Sequence, residues 1–260
     1  MTTPPPAGPA HTARAHSFNA AAAQYAAYRP SYPPALFDAV EDAAGRSLTG
    51  ARVVDVGAGT GISTSLLHAR GAEVLAVEPG EGMAAEFRRG NPAIPLVRGN
   101  GNALPLADAT TDFLTYAQSW HWTDTAHSVP EALRVLRPGG ALALWWNTEA
   151  LDIQWIAEAA DRGARYFGLD PEVEQGKSGE RIRRADPSGR LDFAYREVRW
   201  SRQVPLETHL ANLASHSFFL VMDEPRRDAF LDAERDHLLK VFPDGVVEET
   251  YDVLLLVAKR

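Results

Sequence analysis

Between residues 50 and 150, short apolar runs alternate with segments whose apolar positions recur every three or four residues. Arg52–Val56 (RVVDV) is a β-branched run that stops at glycines, the pattern of a buried strand. Ile62–Arg70 follows with Ile62, Leu66 and Leu67 on one helical face. Glu73–Val77 predicts a second strand and Gly82–Arg89 a second helix. Ile94–Val97 predicts a short third strand and Phe113–Ala117 a fourth. Val129–Leu136 reads as a helix stopped by Arg137-Pro138-Gly139-Gly140, and Ala141–Trp146 as a fifth strand. Strands and helices in this rhythm imply βαβ units, hence an α/β fold with a mostly parallel sheet covered on both faces.

Upstream, Ser17–Asp42 has helical spacing broken at Arg29-Pro30-Ser31-Tyr32-Pro33-Pro34, which predicts two short helices. Downstream the rhythm loosens. Trp155–Phe167, Glu207–Ser215 and Glu224–Val241 read as helices, Ala194–Val204 and Tyr251–Ala258 as strands, and Gly176–Arg190 as a polar stretch. No period of 20–50 residues recurs and no linker divides the chain. The expected organisation is a disordered leader over 1–15 and a single domain over 16–260. Within that domain, 16–45 form lid helices and 148–190 a substrate-cap insertion.

Composition narrows the function. The 260 residues are 45% hydrophobic, enough for a full core without staples. There is no cysteine, which removes disulfides, thiolate zinc sites and a cysteine nucleophile. A net charge of −8 lacks the basic surplus of a protein that grips a nucleic-acid backbone, so no nucleic-acid partner is expected. The longest apolar runs, Ala141–Trp146 and Val253–Ala258, are too short to span a bilayer, so no membrane partner is expected. MTTPPPAGPAHTARAH has no apolar core of a signal peptide. These features lead us to expect a cytoplasmic enzyme, monomeric or homodimeric.

The chemistry concentrates where the first strand ends. In Asp55-Val-Gly57-Ala-Gly59-Thr-Gly61 the glycines permit a tight turn and let a ligand approach the main chain. The helix that follows points its free N–H groups at the occupant of the turn. Glu78, at the end of the next strand and 17 residues beyond Gly61, is placed to accept two ribose hydroxyls. A plain strand–helix turn has the same glycines. A dinucleotide site would show G-x-G-x-x-G, whereas the spacing here is G-x-G-x-G.

With two later segments, this combination resembles a class I S-adenosylmethionine-dependent methyltransferase. VVDVGAGTG and VLAVEPGEGM are similar to the family's first two motifs. RGNGNALPLADATTDFL is similar to its adenine-binding turn and fourth strand, and ALRVLRPGGALALWWN to its late helix, turn and fifth strand. FNAAAAQYAAYRPSYP and QSWHWTD resemble a small-molecule subgroup, trans-aconitate methyltransferase-like (methyltransferase type 11) enzymes among them. The resemblance covers about Phe18 to Asn147. It implies a Rossmann-like, seven-stranded, mostly parallel sheet with an antiparallel last strand and a helical cap over the cleft.

It also implies roles. Asp55, Gly57, Ala58, Gly59, Thr60 and Gly61 would cradle the methionine end of S-adenosylmethionine. Glu78 would hold the ribose, with Pro79 and Met83 against the adenine. Asn100, Gly101 and Asn102 would meet the adenine edge; Asn100 stands where the family often has an acid, and its amide oxygen can still accept. Gln118 and Ser119 would flank the sulfonium. Tyr25, Tyr28 and Arg29 would form a lid, with Arg29 near the cofactor carboxylate. Phe18, Trp120, His121, Trp122 and Trp146 would line the acceptor.

His121 could act as a general base or merely orient the acceptor. Trp145 and Trp146 face opposite sides of their strand, so one should enter the core and the other reach the cleft. His209 and His216 fall seven apart on an expected helix and His237 on another; without a carboxylate or cysteine partner set they read as surface or core histidines. Lys177, Arg181, Arg183, Arg184 and Arg190, against Glu180 and Asp186, form a basic island that could attract an acidic substrate or simply be solvated. The expected activity is methyl transfer to a small organic acceptor, most plausibly at oxygen of a carboxylate or hydroxyl and within specialised metabolism. A peptide terminus, a nitrogen or carbon nucleophile, a non-catalytic cofactor-binding module and a nicotinamide-dependent oxidoreductase stand as alternatives. The chemistry requires no metal, and none is expected.

Overall fold

The computed structural model describes residues 19, 21–169 and 184–260. The core is a seven-stranded sheet. In chain order its strands are β1 (Arg52–Val56), β2 (Glu73–Val77), β3 (Leu96–Val97), β4 (Thr111–Ala117), β5 (Leu136–Glu149), β6 (Phe193–Pro205) and β7 (Val246–Lys259). Their spatial order is β3-β2-β1-β4-β5-β7-β6. The first five run parallel, and β7 lies antiparallel between β5 and β6. This is the expected doubly covered α/β sheet with an antiparallel last strand.

The helices are α1 (Ala22–Tyr28), α2 (Pro34–Ala44), α3 (Ile62–Ala69), α4 (Glu81–Gly90), α5 (Thr125–Val135), α6 (Gln154–Tyr166), α7 (Leu206–Ala214), the single turn α8 (Ser217–Leu220) and α9 (Glu224–Val241). Alternate residues of each central strand feed opposite layers. Val53, Phe113, Ala143, Trp145 and Leu255 pack towards α2, α3 and α4 with Leu36, Phe37, Leu67 and Phe87. Val54, Leu114, Leu144, Trp146 and Leu256 pack towards α5 with Val129, Ala132 and Val135. A third small core joins Val204, Leu206, Leu210, Leu238 and Val247 above the sheet.

Several boundaries differ from the periodicity. The helix before β5 starts at Thr125, where Asp124 accepts from the Ala126 N–H at 3.0 Å. Pro130 lies inside that helix. The Arg137–Gly140 stretch belongs to the irregular start of β5, where the register against β4 shifts between Thr111 and Phe113. β7 begins at Val246 rather than Tyr251, so β6 and β7 form a long antiparallel pair that extends past the end of β5.

The two tryptophans of β5 correct the expectation that one reaches the cleft: Trp145 is 0% and Trp146 1% exposed. Trp145 makes edge contacts with Tyr32 and Phe37, each at a ring separation of 6.1 Å, and so fastens α2 and its lead-in to the sheet. Trp145→Ala is expected to cost about 3–5 kcal/mol in urea unfolding. A loss below about 1 kcal/mol would contradict this role.

Candidate active site

The turn after β1 is built on three left-handed glycines, Gly57, Gly59 and Gly61, with φ of 67°, 59° and 95°. Two of them are also required by crowding. A Cβ on Gly57 would lie 2.5 Å from the Ser119 Cβ, and one on Gly61 2.4 Å from the Asn91 side chain. Gly57 and Ala58 donate to the Val77 carbonyl at the end of β2, at 2.8 and 3.2 Å. The turn is therefore held open against both neighbouring strands.

Beneath it lies Asp55, 0% exposed. Its carboxylate accepts from Thr64 Oγ1 of α3 at 2.6 Å and Thr115 Oγ1 of β4 at 2.8 Å. Asp55 thus braces the turn from below and is not among the residues that line the cavity. Burial raises its carboxyl to about 6; the two threonine bonds oppose the rise and the nearby Glu78 charge adds to it.

Glu78 is 6% exposed. Gly59 N–H donates to its Oε2 at 2.8 Å and Gly80 N–H to its Oε1 at 2.6 Å. Each oxygen keeps a second lone pair, the acceptor arrangement a ribose diol needs. Burial raises this carboxyl as well.

A cleft partly open to solvent lies over the turn. Tyr25, Arg29, Pro30 and Tyr32 roof it. Gly57, Ala58, Gly59, Thr60, Ile62 and Ser63 form one wall, and Ala117, Gln118 and Asn147 the other. Three polar atoms around it are buried and unpartnered: Thr60 Oγ1, Ser63 Oγ and Arg29 Nε. Buried polar atoms without partners are costly, and these suit a zwitterionic amino-acid group that brings both donors and acceptors. Gln118 holds φ at 58° at the end of β4, a strained conformation typical of working sites. Its side-chain amide donates to the Asn147 carbonyl at 3.3 Å.

The structure brings together Tyr25, Arg29, Gly57, Ala58, Gly59, Thr60 and Gln118 from the sequence expectation. It adds Tyr32, Ser63 and Asn147, which no local motif marks. Tyr28 does not line the cavity; its carbonyl accepts from Arg202. The Ser119 hydroxyl is spent on the Val56 carbonyl at 2.6 Å, so Ser119 seals Gly57 rather than flanking a ligand. Gly61, Glu78, Pro79, Met83, Asn100, Gly101 and Asn102 lie outside the cavity. Asn19 covers that side, with its Oδ1 3.1 Å from the donating Gly82 N–H. Asn100 accepts from the Asn102 N–H within its own turn, and Asn102 Oδ1 accepts from the Asp124 N–H. Gly101 packs on Tyr116 and Thr123.

Trp120 is 3% exposed and its indole donates to the Ala185 carbonyl at 2.9 Å. It is a core residue, not an acceptor contact. His121 is exposed on the single turn Trp120–Trp122, with the Trp122 ring 4.7 Å away. Trp146 Nε1 donates to His121 Nδ1 at 3.2 Å. The buried Trp146 therefore supports His121 from below. Phe18, and Lys177, Arg181 and Arg183 of the basic island, lie outside the described residues. Asp186 of that island closes a local turn by accepting from Ser188 and Leu191.

Two histidines read as unpaired do have partners. His209 Nδ1 sits 2.7 Å from Glu249, and Arg29 donates to His216 Nε2 at 3.3 Å. Burial, then the Arg29 charge, holds His216 well below the usual imidazole range.

A methyltransferase-domain family profile matches residues 54–144, the part that carries the turn, Glu78 and Gln118. The uncharacterized methyltransferase Rv3342 of Mycobacterium tuberculosis (strain ATCC 25618 / H37Rv) is 34% identical over 222 residues, 85% of each chain. The chain belongs to the class I S-adenosylmethionine-dependent methyltransferases. Solved structures show the same fold. One assigned as a type II methyltransferase from Anaeromyxobacter dehalogenans aligns with a TM-score of 0.64 at 24% identity, over 90% of this chain and 98% of that one. Geranyl diphosphate C-methyltransferase from Streptomyces coelicolor A3(2), crystallised with S-adenosyl-L-homocysteine, aligns at 0.53 and 17% identity over 99% and 100%. This methyltransferase uses S-adenosylmethionine as its cofactor. No helix among the described residues is long and apolar enough to cross a membrane.

The buried Asp55 makes stability depend on pH in a definite direction. Its folded value of about 6 lies above that of an unfolded chain, so the folded state holds the proton more tightly. The destabilisation is absent below about pH 4, grows as the pH rises to about 6 and is then complete, at about 3 kcal/mol. Asp55→Asn should therefore raise the melting temperature, relative to wild type, more at pH 7.5 than at pH 4.5. A difference independent of pH would contradict the assignment.

Proposed function

We propose that this methyltransferase methylates an oxygen of a small organic acceptor, a carboxylate or acidic hydroxyl that is ionised before it binds. One observation carries the choice. His121 Nδ1 accepts from the Trp146 indole, so the neutral ring carries its proton on Nε2. In that tautomer Nε2 donates; it cannot remove a proton. His121 therefore orients an acceptor oxygen that needs no base.

The unpartnered Arg29 Nε, Thr60 and Ser63 hydroxyls and the glycine turn would hold the amino-acid end of the cofactor. Glu78 would take the ribose hydroxyls, with Pro79, Met83, Asn100 and Gly101 around the adenine. S-adenosylmethionine, when bound, supplies a methyl carbon activated by a cationic sulfur. What remains for the chain is to hold the acceptor oxygen in line with that carbon and to exclude water. Gln118, fixed by Asn147, stands beside the reacting atoms, and α1 with Tyr25 and Arg29 forms the lid.

The test is a panel of carboxylic acids and phenols assayed with wild type, His121→Gln and His121→Ala. Gln keeps a donor, so kcat/KM should stay within about threefold, whereas Ala should lose about 10–100-fold, mainly through KM. Wild-type kcat/KM should stay flat between pH 6 and 8. Equal losses in both variants, with a wild-type rate that falls tenfold per pH unit below about 6.5, would show a general base and overturn the reading.

A further inference from the structure

α1 has seven residues, and only Ala22 is buried. A helix this short does not hold itself together in water, so its place over the cavity is set by what grips it. Gln24 donates to the Ala211 carbonyl of α7 at 3.3 Å. Arg29 donates to the Ser215 carbonyl at 3.1 Å and to His216. Arg202 Nη2 donates to the Tyr28 carbonyl at 3.1 Å. These anchors lie on the β6–α7 segment, not on the 148–190 region.

The Arg202 contact differs from the others because Arg202 is itself immobilised. It lies opposite Glu249 in the register of β6 and β7, and its Nε donates to Glu249 Oε2 at 2.6 Å. Glu249 is 2% exposed and also receives His209 at 2.7 Å and the Tyr251 hydroxyl at 3.0 Å. Burial pushes its carboxyl up, but the His209 bond and the Arg202 charge outweigh this and hold it at about 2. One guanidinium thus spans a buried carboxylate and the last-turn carbonyl of α1, at the negative end of that helix. Arg202 lines no part of the cavity.

We infer that Arg202, fixed by Glu249, is a positioning residue for cofactor binding: it anchors the end of α1, at the Tyr28 carbonyl, so that the adjoining Arg29 presents its Nε to the cavity. The inference rests on the reading of α1 as the lid over the cofactor.

Arg202→Lys keeps a cation beside Glu249, but a single ammonium lacks the fork that reaches both partners. Calorimetric titration with S-adenosylhomocysteine should show a Kd about tenfold weaker, the worth of one ordinary hydrogen bond. Glu249→Gln, which loosens Arg202 while keeping its shape partner, should weaken binding in the same direction. In an Arg29→Gln background, Arg202→Lys should change the Kd by less than about twofold, because its effect passes through Arg29. A lowered melting temperature with an unchanged Kd in both Arg202→Lys and Glu249→Gln would reduce the pair to a structural role and overturn the inference. So would full additivity with Arg29→Gln. If Arg29→Gln alone leaves the Kd unchanged, it is the lid reading that fails.

Discussion

The site rests on the Asp55 carboxylate, buried under the glycine turn and bonded to two threonines from different elements. Thr64 brings in the start of α3 and Thr115 the middle of β4, so one side chain of β1 ties three elements at the point where the sheet opens. Such a carboxylate is expensive to bury, since two hydroxyls do not replace a hydration shell. Its effect is to keep the turn extended before any ligand arrives. Ser119 completes the arrangement by pressing on Gly57, where any side chain would collide. The wall of the cavity is therefore preformed, and the orphaned Thr60 and Ser63 hydroxyls are part of that preformed surface.

The roof is built differently. α1 has almost no buried apolar face and hangs on polar contacts to β6, α7 and the Asn19–Gly82 bond. The antiparallel pair of β6 and β7 carries those contacts above the sheet, with the Glu249 cluster as its rigid point. Floor and roof thus obey different physics: packing and buried hydrogen bonds below, exchangeable polar clasps above. Segments held by few apolar contacts are the ones that open at low cost.

Elements that announce themselves locally were legible in the chain. The apolar runs of β1 and β2 end at glycine or proline, and Glu224–Val241 has clear boundaries, so strands and helix fall where the pattern puts them. The helix before β5 starts four residues earlier than its apolar spacing because its first turn, Thr125–Ser128, is mostly polar and is set by the Asp124 cap. Val246–Thr250 was missed as strand because its alternation carries acids, one of which, Glu249, points into a buried cluster. In the site, the glycine turn and Glu78 were readable because a short segment encodes them. Asn147 and Tyr32 carry no such signature, and the partners of His209 and Arg202 lie 40 and 47 residues away. The register of β6 against β7 brings Arg202 to Glu249, and α7, which follows β6, brings His209 there. Asp55 and Ser119 were recognised as belonging to the site, and their burial makes them supports of it.

A cavity under α1 that holds the amino-acid end of the cofactor must distinguish S-adenosylhomocysteine from 5′-methylthioadenosine, which lacks that end. In calorimetric titration the truncated ligand should bind at least about a hundredfold more weakly, since the bonds to Arg29, Thr60, Ser63 and the glycine turn are lost together. Equal affinities would mean that the adenosine half alone is recognised and that the cavity serves another purpose.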